Sequence, residues 1–198
     1  MTRPTVIRRP IVLASASPRR SDLLRMIGLE FTVRPADVDE TPLPGESPEA
    51  LAERLARAKA TALQGLPSPA LTLGADTVVA IDAMVLGKPA DAVEARAMLR
   101  RLSGRTHEVI TAIAVRALPE ETVDCASAIS RVRFAALSDR EIDWYADSGE
   151  GLDKAGAYAL QGKGSLFVEA IDGSYTNVIG LPMETLYRIL RRHGLGPA

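Results

Sequence analysis

Asp76 stands in Leu73-Gly74-Ala75-Asp76-Thr77-Val78-Val79, a lone carboxylate where an apolar strand pattern breaks. An acid flanked by so much apolar sequence is costly to leave as an unpartnered charge. It reads either as a turn-forming Asp bonded to its own backbone or as a metal ligand or general base at a strand end. Asp37, Asp39 and Glu40 offer a second acid from a proline-punctuated loop. A divalent cation such as Mg²⁺ typically needs only one or two carboxylates, with substrate phosphates and water completing its shell; an acidic loop of this kind is otherwise a solvated one. Arg19 and Arg20, just after Ser17-Pro18, add two permanent forks suited to phosphate oxygens beside a helix N-terminus. The bland alternative is a solvated helix start. Lys88, in Leu86-Gly87-Lys88-Pro89, follows Asp76 by a strand and a turn that could return it to the same edge; a Lys beside Gly and Pro is more often a plain loop lysine. Gln161 lies in the glycine-rich run Gly156–Gly164, which is neither a P-loop nor a dinucleotide fingerprint. Its amide both donates and accepts, as a reader of a base edge must.

These residues need elements to position them. Ile11–Ala14 reads as a short buried strand, followed by a helix with Ser17 as N-cap and Pro18 at its first position, stopped by Gly28. Phe31–Arg34 reads as a second strand, and Ser47-Pro48-Glu49 opens a helix running to about Gly65. Ala70–Leu73 and Val78–Ile81 read as strands interrupted by Gly74–Thr77. A helix over Asp91–Leu102 precedes two alternating segments, His107–Ala117 and Thr122–Ala135, which read as an antiparallel hairpin. Ser138 and Glu141 form a capping box for a helix over Asp139–Ser148. Leu166–Ile171 reads as a strand and Pro182–Arg192 as the last helix. Interleaved helices and strands with one hairpin predict an α/β fold with a mixed sheet flanked by helices.

Composition narrows the function. At 198 residues with 46% apolar and 25% charged residues, the chain fits one globular domain, residues 10–198, behind a lead-in at residues 1–9. A formal net charge of −1 gives no general attraction to nucleic acid or to anionic membrane, so phosphate binding must come from a local cluster of bases. No apolar run approaches the ~20 residues of a membrane span, and Ile11–Ala14 is shorter than a signal core. Cys125 has no second cysteine to pair with and stands in strand-like alternation. A cytoplasmic location is expected. His107 and His193 are far apart, suggest no zinc spacing or catalytic triad, and read as structural.

Read in order, "LASASPRR", Val38-Asp39-Glu40, "RLARAKA", "GADTVV", "LGKP", "LSGRTHEVITA", "DKAGAYALQG" and "GSYTNVIGLPM" resemble the Maf family of nucleotide pyrophosphatases over nearly the whole chain. The resemblance implies hydrolysis of a nucleoside triphosphate between its α and β phosphates, with Mg²⁺ or Mn²⁺, in a mixed α/β fold with a cleft between two lobes, and allows a homodimer. It implies that Asp76 is the proton acceptor and a metal ligand, and that Glu40 lies near the metal. Ser15, Arg20, Lys59 and Lys88 match positions around the phosphates; Arg19, Thr77 and Gln161 match positions tied to substrate choice. These three resemble the branch acting on dTTP and UTP, and differ from the 7-methyl-GTP branch at each position. A nucleotide-sensing regulator of cell division, binding without cleavage, is the alternative of a different class.

Overall fold

The structure is a computed structural model and describes residues 9–194. Its centre is a seven-stranded mixed sheet in the order β2-β1-β3-β5-β6-β7, with β4 paired to β3. The strands are β1 (Ile11–Leu13), β2 (Thr32–Val33), β3 (Ala70–Ile81), β4 (Met84–Leu86), β5 (Thr106–Leu118), β6 (Thr122–Phe134) and β7 (Val168–Asp172). The helices are α1 (Pro18–Met26), α2 (Pro48–Ala62), α3 (Ala92–Leu102), α4 (Asp139–Asp147), α5 (Tyr175–Ile179) and α6 (Met183–Arg192). β1 runs parallel to both β2 and β3, while every other pairing is antiparallel. Parallel neighbours need a crossover, and α1 and α2 supply the two that this edge requires.

β3 is continuous through the segment that reads as a break. Gly74 opposes Ala114 and Asp76 opposes Ala112, so glycine and acid both keep the ladder with β5. The reason is packing. A Cβ at Gly74 would collide with the Ala56 carbonyl and come within 2.5 Å of the Ala60 nitrogen, so only glycine lets α2 lie this close to the sheet. The facing stripe of α2, Ala52, Ala56 and Ala60, is fully buried. Helix and strand therefore touch backbone to backbone beside Asp76.

Other boundaries differ in instructive ways. Ser17 sits at the N-cap of α1 but makes no side-chain cap bond; its N–H donates to Ser15 Oγ at 3.3 Å. Ser47, Asp91 and the Ser138–Glu141 capping box all accept as such residues should. β7 starts at Val168, because Lys163–Phe167 winds into a 3₁₀ turn. Short α5 and β4 carry no periodicity long enough to read from sequence. Arg9 forks onto Glu120 at 2.6 and 2.9 Å, and the rest of the expected lead-in, residues 1–8, lies outside the described residues. Among the described residues no helix is long and apolar enough to cross a membrane.

Candidate active site

Asp76 points from β3 toward α2, where Lys59 lies one residue before the Ala60 that touches Gly74. The Lys59 ammonium donates to Asp76 Oδ1 at 2.6 Å and pairs with Glu40 Oε1 at 2.5 Å. Lys59 and Asp76 are each 8% exposed, so this is a buried ion pair with a third member reaching in from the loop before α2. Partial burial pushes the Glu40 carboxyl upward, but its bond to Lys59 and the fields of Lys88 and Arg20 hold it below the ordinary value. Glu40 is thus an anion at neutral pH. Its loop is braced by Arg54, which forks onto Glu46 at 2.7 and 2.8 Å and donates to the Thr41 carbonyl at 3.0 Å.

On the other side of Asp76, the chain neighbour Thr77 turns toward α1. Arg20 is buried there and bonded through all three of its nitrogens. Its Nε donates to the Gly180 carbonyl at 2.9 Å, Nη1 to Ser15 Oγ at 2.9 Å and Nη2 to Thr77 Oγ1 at 3.1 Å. Burial lowers the guanidinium pKa and Asp76 opposes that, yet an arginine remains charged throughout the neutral range. Gly180, in the left-handed region at φ +119°, closes α5 and brings its carbonyl to this arginine.

Gln161 arrives on a loop fastened by one carboxylate. Glu150 accepts from the Tyr145 hydroxyl at 2.9 Å, the Lys163 N–H at 3.0 Å and the Gly164 N–H at 3.1 Å. The Tyr145 oxygen in turn accepts the Ala159 N–H at 3.0 Å, so the chain is gripped on both sides of Gln161. Gly156, at φ +72°, rests against Val79 of β3 where a Cβ would lie 2.9 Å from a valine methyl. Lys88 reaches the same region because Asp82 and Ala83, both at positive φ, turn β3 back into β4 within two residues. The Gly156 N–H donates to the Gly87 carbonyl at 3.1 Å, joining the lysine's loop to the glutamine's.

These walls enclose a cavity of about 650 Å³. Ser15, Arg19 and Arg20 line it from α1 and its lead-in; Glu40 and Lys59 from the second crossover; Asp76 and Thr77 from β3; and Lys88 and Gln161 from the two joined loops. The nine residues matched through the resemblance meet there, whereas Asp37 and Asp39, the other candidates for the second acid, do not line the cavity. Arginines and lysine face carboxylates across a space large enough for a nucleotide. Two oxygen-donor carboxylates already converge on one cationic group, which suits a hard divalent ion completed by phosphate oxygens and water. Among the described residues no three His, Cys, Asp or Glu side chains gather as a self-sufficient metal cage. The donor set therefore fits a cation that arrives sharing its shell with a ligand.

A family model described as Maf-like protein matches residues 10–193. The chain belongs to the Maf family. A protein of Myxococcus xanthus, named dTTP/UTP pyrophosphatase, is 54% identical over 185 residues, covering 93% of each chain. Relatives with the same name in Syntrophomonas wolfei and Anaeromyxobacter dehalogenans are 50% and 53% identical, covering 92% and 93% of this chain and 96% and 94% of their own.

Outside the cavity of this Maf domain, both histidines and the cysteine sit in structural contacts. His107 is buried, bonded through Nε2 to the Tyr158 hydroxyl at 2.9 Å; His193 and Arg192 both hold Asp124. Cys125 lies half-buried in β6, and burial raises its thiol pKa, the reverse of a nucleophile's requirement. Sequence reasoning missed Glu150, Tyr145, Arg54 and Thr111, which hold the site residues in place. Glu150 beside two glycines was the one available signal; the others look like ordinary helix or strand positions.

Proposed function

We propose that this protein is a nucleoside triphosphate pyrophosphatase that hydrolyses dTTP and UTP to the monophosphate and pyrophosphate. The observation that carries this reading is the Glu40–Lys59–Asp76 triad facing Arg20 across one nucleotide-sized cavity. A triphosphate carries about four negative charges, and buried or loop-mounted cations on three sides match it. The names of the Maf relatives support pyrimidine triphosphates as the substrate class.

Glu40 and Asp76 would hold a divalent cation, Mg²⁺ or Mn²⁺, which when bound supplies positive charge at the phosphates. Arg20 and Lys88 bind and orient phosphate oxygens, and Arg19, which lines the same cavity, bears on the choice of nucleotide. Ser15 Oγ, anchored on Arg20, faces the same group. Lys59 holds Asp76 in place through its hydrogen bond to Oδ1. Asp76 orients the attacking water and accepts its proton as the water oxygen bonds to the α phosphorus. The bond from that phosphorus to the bridging oxygen breaks, and its electron pair leaves with pyrophosphate. Gln161, on a braced loop, offers a donor and an acceptor to the imide edge shared by uracil and thymine. We further assign residues 10–198 to one catalytic domain and the reaction to the cytoplasm.

A nucleotide panel scored for product tests the reading. UTP and dTTP should release pyrophosphate, in preference to purine triphosphates, only with Mg²⁺ or Mn²⁺ present. Orthophosphate as the primary product would overturn it. Asp76→Asn keeps side-chain shape and leaves Glu40 on Lys59, so it should fold while turnover falls by about 10²-fold or more; unchanged turnover would remove Asp76 from its role.

A further inference from the structure

The motifs around Thr111 and Asn177 hold no residue of the proposed chemistry, yet both touch Arg20 through a hydrogen-bond chain whose direction can be worked out. Thr111, fully buried in β5, lies 3.0 Å from the Asn177 carbonyl and 3.0 Å from the Thr77 hydroxyl. A carbonyl only accepts, so the single Thr111 proton is committed to Asn177. The Thr77 hydroxyl must therefore donate to Thr111. That spends the only Thr77 proton and leaves its oxygen as an acceptor, which is how Arg20 Nη2 finds it. Asn177 cannot drift, because its buried amide nitrogen donates to the Val109 carbonyl at 2.9 Å and to Ser130 Oγ at 2.8 Å.

Proton counting extends to the guanidinium. Of the five N–H groups of Arg20, the Gly180 carbonyl, Ser15 and Thr77 take three, one on each nitrogen. One N–H on each terminal nitrogen is left over for oxygens of an anionic ligand such as a phosphate. We propose that Thr111 is a positioning residue: by accepting the Thr77 proton it makes Thr77 a fixed acceptor for Arg20, so that the free pair of guanidinium N–H groups is held ready for an anionic ligand. Thr77 then influences substrate through Arg20, with no proton of its own to offer a base. This inference rests on the proposed nucleotide site and adds the residue that presets its arginine.

Calorimetric binding of α,β-methylene-UTP, which cannot be cleaved at the bond in question, tests it. Thr111→Val keeps the branched shape and removes the hydroxyl; it should weaken binding about tenfold, the scale of one hydrogen bond to a charged group. Thr111→Ser should restore affinity to within about twofold. Thr77→Val should weaken binding similarly, and adding Thr111→Val to it should change nothing further, because the relay is already cut. Wild-type affinity in Thr111→Val, failed rescue by serine, or additive losses in the double variant would each overturn the proposal. Should the valine variant not fold, Thr111→Ala gives the same comparisons. No binding to the wild-type protein would instead sink the nucleotide site itself.

Discussion

At the scale of single residues, Lys59 has the most constrained position. Its ammonium is the common partner of two carboxylates, and only about a tenth of the Lys59 and Asp76 side chains meets solvent. Removing one member of a buried pair costs roughly 3 kcal/mol or more, because the other is left charged without compensation. Lys59→Met should therefore lower thermal stability and turnover together. It should also expose two anions to any cation in solution. Mn²⁺ without nucleotide is expected to raise the melting temperature of Lys59→Met by several degrees more than that of the wild type. Equal shifts in the two proteins would mean that Glu40 and Asp76 do not share a cation. The acids and bases of this site were legible as residue types, since a buried charge needs a reason. Their pairing was not, because nothing in the sequence near Lys59 says that its ammonium turns to β3; that depends on Gly74, which reads as a strand breaker and acts as a contact surface.

Elements set these distances, and the loop between α4 and β7 shows how. Burial pushes the Glu150 carboxyl up, but bonds from the Lys163 and Gly164 N–H groups and Tyr145 hold it below its usual value. As an anion it accepts at every contact, which an amide cannot do. Glu150→Gln would turn an NH₂ toward backbone donors, orphaning at least one at about 1–3 kcal/mol. The loop carrying Gln161 should loosen while the phosphate-facing elements stay intact. The ratio of kcat/KM for UTP to that for GTP is expected to fall about tenfold, with thermal stability only modestly reduced. A uniform loss on all nucleotides would show that this loop does not set base choice. Element boundaries were legible where caps and periodicity were strong, as at α2, α3, α4 and the β5–β6 hairpin. They were not where tertiary contact decides: β3 stays whole because α2 packs on Gly74, and β7 starts late because Glu150 captures the chain before it.

At the scale of the whole molecule, a buried histidine adds to what the carboxylates lose in acid. His107 sits between Phe134 and Tyr158, with ring centroids at 5.0 and 5.4 Å, and its Nδ1 has no partner. Burial lowers its pKa from 6.5 to about 4. The unfolded chain thus binds this proton at higher pH than the folded one. Nothing is lost above pH 6.5, stability falls as pH drops from about 6.5 toward 4, and the loss levels off below, at about 3 kcal/mol in all. Because β5, β6 and the segment carrying Tyr158 share this cluster, the loss is cooperative rather than local. His107→Gln removes the titrating ring. Urea titrations at pH 7 and pH 4.5 should show the variant less stable at the higher pH, since the packing of the ring is gone. Between the two pH values, however, the wild type should lose about 2 kcal/mol more than the variant. Equal losses would mean that acid sensitivity arises from the carboxylates alone and that His107 is not held neutral by the fold.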